Sequence, residues 1–262
     1  MSTEFDFTHD TTQFSLNNAY CLAKASELAY EKKEKIEETV RQWGFRQFRF
    51  YEKNGTQGFT MSNEQIIVTA FRGTEMKIED WMTDLNFDLV PGPMDGQVHE
   101  GFYDAIREVW DPVQRTLARF RENKPKSLWF TGHSLGAALA ALAVALLRDE
   151  DHPVDGLYTF GQPRLGDRIF ARNFNLDFKP YAFRFVNNND IVTRMAPRLM
   201  KYSHIGTFKY FTEPGKLVDD IGWWNRFLDR MRGRIEDILE WGTDGMKDHG
   251  MAGYTKLIKN VM

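Results

Sequence analysis

The stretch SLWFTGHSLGAALAALAVALL, residues 127–147, decides the fold class that the sequence indicates. Residues 127–131 are a short apolar run, which is typical of a buried strand. From Ser134 to Leu147 the residues are small or aliphatic and predict a helix. The pentapeptide Gly132-His133-Ser134-Leu135-Gly136 joins the two, so a serine is predicted to lie at a sharp turn between strand and helix.

A serine acts as a nucleophile when it is exposed, held rigidly and given a base, and a sharp turn between strand and helix supplies the first two conditions. The turn crowds the backbone, so the residues two positions away must be small, and Gly132 and Gly136 fill both positions. The N–H of Leu135 would stand at a helix N-terminus, where it can stabilise an oxyanion. An ordinary glycine-flanked turn is the alternative, but the strand–turn–helix context favours catalysis.

The rest of the chain predicts an α/β architecture. Apolar runs at 66–71, 157–160, 182–186 and 208–212 alternate with helical patterns at 16–30 and 103–122, which predicts a mainly parallel sheet covered by helices. Residues 45–52 and 57–62 predict a hairpin around Asn54-Gly55. Without internal repeats, the 262 residues are expected to form a single domain spanning 1–262.

Composition excludes several classes of protein. A net charge of −3 gives no reason to expect nucleic acid. With Cys21 as the single cysteine, no intrachain disulfide can form, which favours a reducing compartment or a bacterial-type setting. The start lacks a basic segment followed by an apolar run, and 137–147 is too short to span a bilayer. We therefore expect a cytoplasmic protein, or one exported without a cleaved signal peptide, with no transmembrane segment.

Asp190 is the candidate for the acid of a catalytic triad. It follows the predicted strand 182–186 in an asparagine-rich turn, at what should be the carboxyl edge of the sheet, where ligand sites gather. A solvated turn aspartate is the alternative, since Asn and Asp are common turn formers.

Two of the six histidines are candidates for the base. His204 and His249 both follow Asp190, so the chain order of nucleophile, acid and histidine does not choose between them. His204 comes just before a predicted strand, which is a cramped position, whereas His249 lies in a loop that can present it freely. This favours His249. His133, inside the elbow, is expected to point away from the nucleophile.

Several motifs together resemble the fungal-type class 3 lipases of the α/β-hydrolase fold. Besides the elbow at 132–139, these motifs lie at 69–74, 78–85, 98–102, 159–167, 187–192 and 248–251. Independent motifs in the right order are more specific than a single motif. The chain departs from the family at Thr193, where a proline is usual, which puts the rigidity of the acid loop in question.

The resemblance implies a site for ester hydrolysis through an acyl-enzyme. It points to Asp190 as the acid and His249 as the base for Ser134, and to the N–H groups of Thr74 and Leu135 as the oxyanion hole. The Thr74 hydroxyl would add a third bond to the oxyanion. Two residues are implied in support: Asp84, orienting that hydroxyl, and His99 near the site. No metal site and no cofactor are expected.

A lid is predicted over residues 75–90. Its apolar residues Ile78, Trp81, Met82 and Leu85 fall at positions i, i+3, i+4 and i+7, which is the spacing of a short amphipathic helix. A helix that only packs down is the alternative. A lid would close over an apolar groove and open at a lipid surface, with Gly92 and Gly96 as hinges.

A second amphipathic segment, the predicted helical insertion at 217–242, has an apolar stripe that would face the core or contact lipid. The expected substrate is a water-insoluble acyl ester, and triacylglycerol, diacylglycerol and phospholipid all stay open. The main expectation is a triacylglycerol lipase, and the alternatives are a phospholipase A1 or a short-chain carboxylesterase on the same triad. A non-catalytic lipid-binding protein is disfavoured by the intact triad residues.

A moving lid predicts a rate that depends on the lipid surface. Initial rates on a medium-chain triglyceride should rise steeply once the substrate passes its solubility limit and forms an emulsion, because the surface would hold the lid open. Rates that rise smoothly through the solubility limit would count against a moving lid.

Overall fold

The computed structural model describes residues 5–73, 87–122, 124–195, 201–219 and 247–262. Several predicted features lie outside these ranges and stay predictions from the sequence. They are Thr74, Asp84, the lid residues Ile78, Trp81, Met82 and Leu85, and residues 220–242 of the helical insertion.

Eight strands form one sheet, and the five in its centre are parallel. The order across the sheet is β1 (Gln47–Lys53), β2 (Thr56–Ser62), β3 (Ile66–Phe71), β6 (Ser127–His133), β7 (Gly156–Phe160), β8 (Ala182–Asn187), β9 (Thr207–Phe211) and β10 (Leu217–Val218). Strands β3, β6, β7, β8 and β9 are parallel, whereas β1, β2 and β10 join antiparallel. The predicted mainly parallel sheet and the hairpin at Asn54-Gly55 are confirmed.

The central strands are covered on both faces. Every residue of β3, β7 and β8 is buried, and in β6 only Ser127 is partly exposed. Parallel strands that are covered on both faces read as nearly continuous apolar runs. This is why short apolar runs were sufficient to locate them in the sequence.

Helices form a layer on each face of the sheet. One layer contains α1 (Leu16–Leu28), α2 (Lys33–Gln42) and α6 (Met251–Val261). The other contains α3 (Glu100–Arg121), α4 (Leu135–Asp149) and α5 (Arg168–Phe178). Trp129 packs against the first layer while its neighbours Leu128 and Phe130 pack against the second, as the alternation of side chains along a strand requires.

The most apolar segment of the chain is a core helix. Helix α4 lies between the sheet and α3, and its alanines are buried on all sides because their small side chains allow close approach. Within the described residues, no helix is both long and apolar enough to cross a membrane.

The predicted hinge glycines have a different setting from the one expected. Gly92 and Gly96 join β4 (Leu89–Pro91) to β5 (Gln97–His99), a separate two-stranded pair, and the Gly92 N–H donates to the Gly96 carbonyl at 2.9 Å. A Cβ on Gly96 would collide with the backbone of Phe170. These glycines therefore permit close packing at this turn, and the hinge motion expected of them stays a prediction.

Candidate active site

The turn between β6 and α4 holds Ser134 in an unusual backbone conformation. Its φ of 58° and ψ of −127° lie outside the regions that side chains other than glycine adopt readily. Such strain is kept only where the surroundings fix it, and it gathers at functional sites. Here the Ser134 N–H donates to the Phe160 carbonyl at 3.0 Å, and the Ser134 carbonyl accepts from the Ala137 N–H at 3.0 Å.

The two glycines of the pentapeptide are required by space. A Cβ on Gly132 would collide with the backbone of Gly136, and a Cβ on Gly136 would collide with the carbonyl of Phe71 at the end of β3. The absence of both side chains thus lets β6, α4 and β3 approach one another around Ser134. The reason given for these glycines from the sequence alone agrees with this packing.

The Ser134 side chain is buried, and its hydroxyl is not tied up in a hydrogen bond to a described residue. Its exposed fraction is 3%, and its Oγ has no hydrogen-bond partner among the residues that the structure describes. The adjacent Leu135 N–H is the first amide of α4, and a first-turn amide has no acceptor within its own helix. A donor suited to an oxyanion therefore stands beside the hydroxyl.

Asp190 lies just beyond the carboxyl end of β8 and is completely buried. Its carboxylate accepts three kinds of hydrogen bond. The His249 Nδ1–H lies 2.9 Å from both oxygens, the Tyr254 hydroxyl donates at 2.5 Å, and the Val192 N–H donates at 3.0 Å. The solvated turn aspartate considered from the sequence does not describe this residue.

These partners keep Asp190 ionised. Burial raises the pKa of Asp190, but the charge and hydrogen bond of His249, together with the Tyr254 hydroxyl, outweigh it and hold the pKa below its ordinary value. Burial and the neighbouring Asp190 raise the pKa of Tyr254 well above its ordinary value, so its hydroxyl stays protonated and donates.

His249 is oriented by this carboxylate. Because an ionised carboxylate only accepts, Nδ1 carries the proton in the neutral ring and Nε2 is left with a free lone pair. The His249 ring is buried, and its Nε2 has no hydrogen-bond partner in the described parts of the chain. This is the tautomer that a general base for a serine hydroxyl needs.

The structure brings Asp190 together with His249 and not with His204. His204 precedes Gly206, which packs against Ala182 at the amino end of β8, whereas Asp190 follows the carboxyl end of the same strand. The Asp190 carboxylate hydrogen-bonds to the His249 ring, so His249 is the candidate base that meets this acid.

The loops that carry Asp190 and His249 are bonded to each other. The Asp248 carboxylate accepts from the Asn188 side chain and the Asn189 N–H, both at 3.2 Å, and the Asn187 amide donates to the Asp248 carbonyl at 2.8 Å. Thr193 adds a local bond, since its hydroxyl donates to the Asp190 carbonyl at 2.8 Å. This bond holds the acid loop at the position where the family usually has proline.

Two residues of the site were not found from the sequence. Tyr254 donates to Asp190 from 64 residues away, and no local pattern marks such a pair. Gly161, just beyond β7, has a φ of 58°, and a Cβ there would lie 2.7 Å from His249 Cε1 and 2.9 Å from Asp190 Oδ2. In the sequence, Gly161 stands out only as part of the 159–167 motif. Its position next to the pair explains why that motif keeps a glycine.

The segment that leads to the predicted oxyanion residue Thr74 is described by the structure as far as Gly73. A Cβ on Gly73 would lie 3.1 Å from Ser134 Cβ, so the chain after β3 passes directly beside the serine. His99 contributes at the start of α3, where its ring stacks on Phe102 at 4.0 Å and its Nδ1 accepts from the Phe102 N–H. Those contacts indicate a helix-capping role, and the supporting role near the site stays a prediction.

Known proteins are similar to this chain in sequence. The family described as "Lipase (class 3)" matches residues 68–200. The chain is 35% identical to a secreted mono- and diacylglycerol lipase of Fusarium solani over 160 residues, covering 59% of this chain and 46% of that protein. The chain spans about half the length of the curated relatives that it matches.

Solved structures share the fold. A mono- and diacylglycerol lipase from Aspergillus oryzae superposes with a TM-score of 0.67 at 25% identity, over 79% of this chain and 87% of that one. A triacylglycerol lipase whose catalytic centre is formed by a serine protease triad superposes with a TM-score of 0.64 at 26% identity, over 77% and 82%. The α/β-hydrolase fold predicted from the sequence is confirmed.

The Tyr254 hydroxyl predicts a change in acid stability. A carboxyl whose folded pKa is depressed stabilises the fold above its unfolded pKa, and this stability is lost as the pH falls through the folded pKa. Tyr254→Phe removes one lowering cause for Asp190, so stability should fall by about 1–3 kcal/mol at neutral pH, and the part of the stability that is lost on acidification should be smaller and its loss complete at a higher pH.

Thermal midpoints measured from about pH 2 to about pH 7 would test this. Tyr51→Phe is a matched control, because the Tyr51 hydroxyl is also buried and donates to Thr60 Oγ1 at 3.0 Å. If the thermal midpoints of Tyr254→Phe and the wild type fall with pH in the same way at acidic pH, the prediction is contradicted.

Proposed function

Since the chain belongs to the class 3 lipase family, we propose that it is a serine hydrolase that cleaves acylglycerol esters through an acyl-enzyme on Ser134. The proposal assigns His249 as general base and Asp190 as the orienting acid. The relatives named above act on mono- and diacylglycerols or on triacylglycerols, and the same substrate class is proposed for this chain.

One observation carries the proposal. Ser134 Oγ and His249 Nε2 are both buried, and neither has a hydrogen-bond partner among the described residues. Leaving two buried polar atoms unpaired costs about 1–3 kcal/mol each, so such atoms call for an explanation. A nucleophile and a base that pair with each other and with substrate during turnover supply that explanation. Catalytic hydrogen bonds are often long before substrate binds.

In the first half of the proposed reaction, the Ser134 oxygen attacks the ester carbonyl and its proton passes to His249 Nε2. The imidazolium that forms is stabilised by the Asp190 carboxylate, which stays ionised. The carbonyl electrons move onto oxygen, and the N–H groups of Leu135 and Thr74 would bind this oxyanion. Each such donor contributes about 2.7–4 kcal/mol in the transition state.

The tetrahedral intermediate then collapses. The bond to the leaving alcohol breaks as His249 returns its proton to that oxygen, which leaves the acyl group on Ser134. In the second half, water takes the place of the serine hydroxyl: His249 accepts a proton from water, the oxygen bonds to the acyl carbon, and Ser134 leaves with the proton. The products are a fatty acid and the free alcohol.

The proposed partner is an acyl ester lipid, met at a lipid surface. The lid predicted at 75–90 and the stripe at 217–242 are the segments proposed to contact that surface, on the strength of their sequence pattern alone.

The triad assignment predicts which variants lose activity. Ser134→Ala and His249→Ala should lower kcat by about 10⁴-fold or more, whereas His204→Ala should stay within about ten-fold of the wild type. A fluorophosphonate should label the wild type on Ser134, as the serine oxygen displaces fluoride from phosphorus. Thermal midpoints close to that of the wild type would show that the variants are folded.

Mass spectrometry of the labelled protein locates the adduct. Substantial turnover by Ser134→Ala, or an adduct on another residue, would remove the nucleophile assignment. A wild type that neither hydrolyses esters nor takes up the probe would indicate a non-catalytic lipid-binding protein. A greater loss of kcat in His204→Ala than in His249→Ala would assign the general base to His204 instead.

The substrate class predicts a rate profile. With one acyl chain length throughout, mono-, di- and triacylglycerols should be cleaved faster than a diacyl phospholipid, and long-chain esters faster than a soluble p-nitrophenyl butyrate. Preference for the phospholipid would favour the phospholipase A1 alternative, and preference for the soluble ester would favour the short-chain carboxylesterase.

A further inference from the structure

A series of buried hydrogen bonds connects three separate segments around the site. The Tyr30 hydroxyl, just after α1, lies 2.7 Å from His133 Nδ1, and His133 Nε2 lies 2.6 Å from the His249 carbonyl oxygen. At its other end the series reaches Gly73, which lies directly beside the same Tyr30 hydroxyl: a Cβ on Gly73 would collide with that oxygen. The His133 ring also lies against the His249 ring, with centroids 4.4 Å apart.

The His249 carbonyl fixes the direction of every hydrogen bond in this series. A backbone carbonyl only accepts, so His133 Nε2 must carry the proton that bonds to the His249 carbonyl. In the neutral ring, Nδ1 is then an acceptor, and the Tyr30 hydroxyl must donate to it. Every donor in the series thus has one acceptor.

His133 holds the neutral form that this series requires. It is buried, and burial, reinforced by the neighbouring His249, lowers its pKa to about 3. A charged ring would place a second N–H against the Tyr30 hydroxyl and break the order of donors. Burial therefore preserves one arrangement of protons at any pH well above this pKa.

Each end of the series adjoins a group of the proposed reaction. Gly73 precedes Thr74, whose N–H is proposed for the oxyanion hole. His133 precedes the nucleophile Ser134, and the His249 carbonyl belongs to the proposed base. The oxyanion donor, the nucleophile and the base come from residues far apart in the chain, so their spacing depends on contacts of this kind.

We propose that Tyr30 and His133 are positioning residues that fix the separation of Gly73 and His249 across the Ser134 elbow. This inference rests on the proposed function and adds to it two residues that act by holding Gly73 and His249 in place. A misplacement of about 1 Å in a catalytic group can lower the rate by about 10²-fold, so bonds of 2.6–2.7 Å that set such distances matter for kcat.

The test compares two tyrosine variants. Tyr30→Phe keeps the ring but removes the hydroxyl that lies against Gly73 and donates to His133. Tyr51→Phe, on strand β1, loses a buried tyrosine hydrogen bond of the same kind away from this series. On a soluble p-nitrophenyl ester, well below both thermal midpoints, Tyr30→Phe should lower kcat by about 10- to 100-fold with KM within about two-fold, and Tyr51→Phe should change neither.

A conservative change at His133 supplies a second readout. His133→Gln can still donate an amide N–H to the His249 carbonyl and accept from Tyr30, so it should keep more activity than His133→Leu. If both residues act through one series, the Tyr30→Phe/His133→Leu double variant should lose no more than the worse single variant, rather than the product of the two losses.

The results separate this inference from the proposed function. A wild type that reacts with fluorophosphonate on Ser134, together with a Tyr30→Phe kcat within two-fold of the wild type, would overturn the positioning role alone. A loss of kcat in the double variant equal to the product of the two single losses would also overturn the inference that both residues act through one series of hydrogen bonds. A wild type without ester hydrolysis or labelling would overturn the proposed function and, with it, this inference.

Discussion

The rest of the site depends on the backbone of Ser134, held at a φ of 58° and a ψ of −127°. This conformation is unfavourable for a serine, and it persists because β6, α4 and the end of β3 meet with no side chain between them at Gly132 and Gly136. The same contact fixes where the Leu135 N–H points and brings Gly73 against the serine. Loss of this close approach would disturb nucleophile and oxyanion donor together.

Burial gives the acid and the base their properties. A buried carboxylate is costly unless its oxygens are satisfied, and Asp190 is satisfied by His249, Tyr254 and the Val192 N–H. Those bonds leave a single direction for the His249 ring, with Nε2 facing away from the acid. The same burial keeps His133 neutral, which lets it bridge Tyr30 and the His249 carbonyl. The packing that positions Asp190 and His133 therefore also sets their protonation states.

Local patterns in the sequence predicted some parts of this structure well. The β6 strand and the helix after it were identified because an apolar run, a tight turn and a small-residue helix are all local features. Helices α2 and α5 and the β4–β5 pair were missed, although Phe170, Phe174 and Phe178 of α5 recur at helical spacing and are buried. Thr74, Asp84 and the lid residues lie outside the described residues, so their roles stay predictions.

The sequence by itself determined the fold class, the serine at the elbow and the order of candidate acid and base, because each depends on neighbours along the chain. It favoured His249 over His204 without deciding between them, and the tertiary structure decided which of them meets Asp190, because folding brings the His249 ring within 2.9 Å of that carboxylate. It also decided the parts played by Tyr254, Gly161, Tyr30 and His133. Their partners are many residues distant, and only folding brings them into contact.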